Sequence, residues 1–224
     1  MTQIELNNMW NYYLSLEEDL SATSRFIEPS GQEDTYSFEF SKLIVLSCTE
    51  IESVFKAICK AITGKEGGSI SDYKGAILKA YPKIIGAVVF IPRWSKEIKP
   101  FSGWKNGKLA WWKAYSEIKH NRGSSFQDAT YENAVYALSA LYILILYLGK
   151  INDLRVEAGV SKYILSAYAF RYIVNSPMRQ LPDFEEDNSA PVNGGMSETA
   201  KIYMQAKEPR EAREGDIWIK SEEP

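Results

Sequence analysis

Fifteen consecutive residues, Ala134 to Leu148, carry no charge, no proline and no glycine, and only one serine, Ser139. A helix that crosses a bilayer needs about 20 apolar residues, so this run is better read as the buried core helix of a bundle. Its apolar side chains point to nearly every side, more than a surface helix of a small monomer requires, so a second copy of the chain, or residues 161–175 or Ile217-Trp218-Ile219 folding back, is expected to cover part of it. With 45% hydrophobic and 13% aromatic residues, the chain can bury a sizeable core.

The remaining sequence repeats a helical rhythm. In residues 4–27, Ile4, Met9, Trp10, Tyr13, Leu14, Leu20 and Phe26 fall near one stripe, with Glu17, Glu18 and Asp19 toward water. A break follows at Glu28-Pro29-Ser30-Gly31. A second helix is predicted from Ser37 to Thr63, closed by Gly64. Its Phe40, Ile44, Ile51, Val54, Phe55, Ile58 and Ile62 keep the period, and Glu52 and Lys56 stand in the favourable i,i+4 order. Ser69 or Ser71 caps a third helix that must end near Tyr81-Pro82. Residues 83–103 lose the rhythm. Ala87 to Ile91 is short and β-branched, and Pro92, Pro100 and Gly103 follow, so an irregular insertion with a short extended segment is expected. Helix resumes from Leu109 to Asn121, stops at Gly123, and returns from Ala129 to Asn152. Residues 161–175 are apolar enough to pack on this body, as a helix or a strand, with helix the favoured reading. The expected fold class is therefore all-α, a bundle of about five helices with a short irregular insertion. It occupies residues 1–180 and is followed by a polar tail over 181–224.

Charge divides the chain the same way. From Asp183 onward there are eleven acids against five bases, whereas the preceding residues hold 18 acids and 21 bases. The tail reads as an acidic linker with a small alternating island, Gly215 to Lys220, suited to docking on a partner protein. The opening MTQIELNNMW has neither the basic start nor the apolar run of a secretion signal, so a cytoplasmic, non-membrane protein is expected. Cys48 and Cys59 lie eleven residues apart in one predicted helix. That places them roughly 16 Å from each other, too far for a disulfide.

Several chemistries are excluded early. His120 is the only histidine, so the usual zinc ligand set is missing. There is no P-loop, no Gly-x-Gly-x-x-Gly and no Gly-x-Ser-x-Gly. No metal and no cofactor are expected, and Glu50 and Glu52 read as ordinary solvated acids. The stretch from Arg93 to Arg122 stands out with eight bases, two acids and the aromatics Trp94, Phe101, Trp104, Trp111, Trp112 and Tyr115. Cations neutralise phosphates and aromatic faces stack on unpaired bases, so a single-stranded nucleic acid or a nucleotide suits such a surface. The same pattern also fits buried aromatics with a solvated lysine face. At the end of this stretch stands Lys119-His120-Asn121-Arg122-Gly123. Basic side chains in a last helical turn complement the helix dipole. As a site, His120 would serve as general acid/base and Arg122 would stabilise charge on a transferring phosphate. Lys119 and Asn121 would bind and orient the ligand, with Trp112, Lys113 and Tyr115 one or two turns earlier. Residues two apart on a continuous helix point nearly oppositely, so His120 and Arg122 converge only where the helix unwinds.

Trp111-Trp112-x-x-Tyr115-x-x-x-Lys119-His120-Asn121-Arg122, followed by Phe126, Ala129, Asn133 and the apolar helix, resembles a group of HEPN-like helical proteins. The earlier helix with Cys48-Thr49-Glu50-Ile51-Glu52 and Lys56 shares the resemblance, which covers residues 10–150. It implies a compact helical bundle, commonly a homodimer, that binds RNA or nucleotides. Many such proteins are metal-independent ribonucleases of phage or stress defence, and His120 and Arg122 are the matching chemical types for catalysis. The family's usual order is arginine a few residues before histidine. Here the nearest upstream arginine is Arg93, 27 positions before His120, and Arg122 follows it. The alternative is a non-catalytic interaction module that recruits a partner protein.

Overall fold

The computed structural model describes residues 1–28, 30–91, 96–154, 181 and 183–184. The expected helix over 161–175 and the island at 215–220 lie outside the described residues. Within them the chain is an all-α bundle of five helices, α1 (Gln3–Thr23), α2 (Phe38–Thr63), α3 (Ile70–Ala80), α4 (Ala110–Ser125) and α5 (Tyr131–Ile151), with a small hairpin inserted between α3 and α4.

Local sequence sets most of the helix ends. At α1 the Thr2 side chain accepts from the Glu5 N–H, and the Glu5 carboxylate accepts from the Thr2 N–H, which satisfies two orphan donors reciprocally. Ser37, Ser69 and Thr130 cap α2, α3 and α5 through their hydroxyls. Gly64 ends α2 at φ 76°, a left-handed conformation that a side chain would strain. Pro82 cannot continue α3, and the chain enters a 3-10 turn, Pro82–Gly86.

The fifteen-residue apolar run lies inside α5. That helix packs most extensively on α2 and also on α1 and α4. It extends beyond the run to 21 residues, long and apolar enough by length and composition to cross a membrane, yet 78% of its most apolar window is buried inside the chain. Its apolar surplus is consumed by this chain's own core.

Three expectations need correction. Glu17 does not face water: it is only 3% exposed, one turn after Tyr13 on the buried stripe Leu6, Trp10, Tyr13, Leu16, Leu20. Burial first, and the charge of Glu17 second, push the Tyr13 hydroxyl well above its usual pKa. Ile4 and Phe26 are not part of that stripe: Ile4 is 73% exposed, and Phe26, beyond the end of α1 at Thr23, is 88% exposed. Asp183 is no free linker residue, because its carboxylate accepts from the Lys83 N–H at 2.9 Å and from the Tyr147 hydroxyl at 2.9 Å, while Phe184 stacks on Tyr81. The compact unit accordingly runs to Glu185.

The insertion is more ordered than a loop. Strands β1 (Val89–Ile91) and β2 (Lys96–Ile98) pair antiparallel, with Val89 opposite Ile98. The Ser102–Trp104 turn follows, and Gly103 is required there, since a Cβ would stand 2.8 Å from the Lys108 carbonyl. Trp111 donates its indole N–H to the Pro100 carbonyl at 2.9 Å and packs edge-on to Phe101, fastening the insertion to α4.

Candidate functional site

The site residues expected from the sequence all lie on α4, and helix geometry sorts them onto two faces. Tyr115 and Lys119 are i,i+4 neighbours, while Lys113 and His120, seven apart, sit nearly in line two turns from each other. The first pair faces α2. The Tyr115 ring is buried, and its hydroxyl donates to Glu52 Oε1 at 3.1 Å. Lys119 Nζ donates to the same hydroxyl at 3.0 Å and stands 3.6 Å from Glu52 Oε1. At 5.1 Å from the ring centroid the ammonium lies at the hydroxyl end, so the contact is a hydrogen bond rather than a cation–π stack. The bond to Tyr115, with its charge and that of Glu52 adding, raises the Lys119 pKa above the ordinary lysine value. Its side chain remains 45% exposed, which leaves ammonium protons for a second acceptor.

This triad was not legible in the sequence. Glu52 and Tyr115 are 63 residues apart, and only the antiparallel packing of α2 on α4 brings them together. Glu52 is therefore a bound acid and not the solvated one expected. Cys48, one turn before it, is fully buried; burial pushes its thiol well up, Glu52 adds to the effect and Lys119 opposes it. Such a thiol is no nucleophile at neutral pH. Replacing Tyr115 by phenylalanine should remove the shared bridge without leaving a void. About 1 kcal/mol of stability is expected to be lost in a denaturant titration, and the Lys119 pKa should fall toward the ordinary value in an NMR titration. An unchanged Lys119 pKa would show that the bridge is not what holds it up.

The second face points to solvent. Lys113 and His120 are exposed, and His120 forms no hydrogen bond or ion pair with another described residue. Asn121 donates its side-chain amide to Glu117 at 3.0 Å, and its carbonyl accepts from the Ser124 hydroxyl at 3.2 Å. Its backbone leaves the helix, with φ −133° and ψ 37°, one residue after His120. The unwinding that convergence of His120 and Arg122 requires is thus present in the main chain. The Arg122 side chain lies outside the described residues.

The aromatics divide differently from a stacking surface. Phe101, Trp104, Trp111 and Tyr115 are core residues, each no more than 3% exposed. Tyr115 consequently enters the site through its hydroxyl and not its ring. Trp112 is half-buried, edge-on to Trp111 and Tyr115 and near Phe55. Trp94 lies outside the described residues. Burial follows from position: these rings occupy the side of α4 and of the insertion that closes on α2. Among the described residues no group of three His, Cys, Asp or Glu side chains is placed to hold a metal ion.

Compared with known proteins, the chain matches no family model, no curated protein and no solved structure. The class its described residues define is an all-α bundle of five helices with a hairpin insertion and a polar, basic turn near the end of the fourth.

Proposed function

We propose that this chain is a HEPN-like RNA- or nucleotide-binding protein whose ligand phosphate is held at the C-terminal turn of α4, and that it cleaves RNA without a metal. The observation that carries this reading is the helix break at Asn121, which falls between the one exposed imidazole and the following arginine. A straight helix would point residues 120 and 122 nearly oppositely, and the main chain is not a straight helix at Asn121, while Lys119 is held in place by Tyr115 and Glu52. His120 would move the proton at the attacking or leaving oxygen, and Arg122 and Lys119 would balance charge on the phosphorus centre. One histidine per chain makes a homodimer with two clusters in one cleft the natural arrangement for acid and base to act together. Incubating the full chain with mixed RNAs in EDTA tests it. Cleavage is the expected result, and RNA left intact under all conditions contradicts the enzyme.

A non-catalytic interaction module is the second reading. It is favoured by the aromatics of α4 being spent in the core, which leaves little stacking surface on that helix.

A further inference from the structure

Just beyond the end of α4, two connections meet at one end of the bundle. The segment before α2 and the segment before α5 are stitched together by Tyr131 N–H to the Thr35 carbonyl at 2.8 Å, Glu132 N–H to Glu33 at 2.9 Å and Ser37 N–H to Ala129 at 3.3 Å. Ser37 is extended (φ −157°, ψ 164°), so Tyr36 and Phe38, two apart, project to the same side. Both rings meet Phe126: Tyr36 edge-on at 5.5 Å, Phe38 tilted at 4.5 Å. Only Phe126 is anchored to the core. Tyr36 remains 53% and Phe38 76% exposed. Single exposed rings are ordinary, but two packed on a shared third ring form a patch of the kind that marks an interaction surface.

The surroundings say what sort of partner fits. Neither residues 28–41 nor residues 124–149 contain a lysine or an arginine. Glu33 and Asp34 lie beside Tyr36; they and the nearby Asp128 and Glu132 form no ion pair with a described residue, whereas Lys42, one turn after Phe38, is paired with Glu39 and Asp19. Beside Tyr36 is a shallow, open, mainly polar depression, lined by Gly31, Gln32, Glu33, Asp34, Thr35 and Tyr36. Carboxylates around exposed rings repel a phosphate backbone, so this is not where nucleic-acid bases stack. They attract a cation that also has a flat face. A guanidinium has both properties, stacking on aromatic rings while it pairs in a fork with carboxylates.

We infer that the Tyr36–Phe38–Phe126 face is a docking site for an arginine-bearing segment of a partner protein, with one guanidinium stacked on Phe38 or Tyr36 and another seated in the adjoining depression against Glu33 and Asp34. Phe126 directly follows α4, four residues after Arg122, so the face adjoins the α4 turn, but the assignment does not rest on what that turn does.

A fluorescently labelled peptide of alternating arginine and glycine, titrated into the full chain, tests the assignment. It should bind and weaken with added salt. Phe38→Ala and Asp34→Lys, both at exposed positions, should each weaken it by about tenfold, the size of a lost stacking or charge contact. His120→Ala should leave it unchanged, and a peptide of alternating glutamate and glycine should not bind. Absence of peptide binding, or binding indifferent to both Phe38→Ala and Asp34→Lys, would overturn the assignment. So would a single-stranded RNA whose affinity falls in Phe38→Ala as far as the peptide's does, since the face would then belong to a nucleic-acid site.

Discussion

The His120→Ala protein is expected to lose metal-independent RNA cleavage by a factor of about 10² to 10⁴, the usual contribution of a positioned general acid or base. The same protein should unfold where the unsubstituted chain does, within about 0.5 kcal/mol, because the imidazole is exposed and bonded to no described residue. This split between activity and stability separates a catalytic group from a helix-terminal cation. Cleavage that survives intact in His120→Ala would remove the histidine from the chemistry, whatever else binds at the turn. Gel analysis of RNA products in EDTA, paired with a thermal melt, reads both arms.

The largest stability effect should come from Trp111→Ala. The side chain is 1% exposed, packs against Phe101 and Trp112, and donates to the Pro100 carbonyl. Truncating a buried tryptophan costs about 3–5 kcal/mol, and the Pro100 carbonyl loses its partner as well. Because that bond fastens the insertion to α4, amide exchange should quicken first across 96–104, ahead of α2 and α5. A loss below about 1 kcal/mol would mean that the insertion and α4 are not coupled through this residue.

These effects sit on a fold that was largely readable from residue spacing. The stripe of α2 from Phe40 to Ile58 lies in the core as its period requires, and Gly64 terminates the helix at the residue chosen by left-handed geometry. The apolar run marked α5, which the bundle largely surrounds. Periodicity failed where polarity and burial part company. Glu17 occupies a buried position of the α1 stripe that a charge-based reading sends to solvent. The short extended signal at Ala87 to Ile91 was visible, but its partner Lys96–Ile98 carries two charges in three residues and no strand pattern.

The site was legible in part. Asn121-Arg122-Gly123 signalled a place where the helix could unwind, and the break is found at Asn121 itself. Which face each cation occupies also follows from spacing, with Lys119 beside Tyr115 and Lys113 in line with His120. The Glu52 bond was hidden, because a contact across 63 residues leaves no trace in local order. The Tyr36–Phe38–Phe126 patch was hidden for the same reason: Phe126 is about 90 residues from Tyr36 and Phe38 in sequence and meets them only because the two connections are stitched together.

The central claim is that phosphate is held at the α4 turn, and a salt titration of RNA affinity tests it most directly. Single-stranded RNA is titrated into the full chain and into Arg122→Gln over a range of salt concentrations. For single strands, each phosphate contact contributes a slope of about −0.7 in log affinity against log salt. The account predicts binding that weakens with salt, and a slope about one contact shallower in Arg122→Gln, with lower affinity at every salt. Identical affinity and slope in the two proteins, or no RNA binding at any salt, would contradict it.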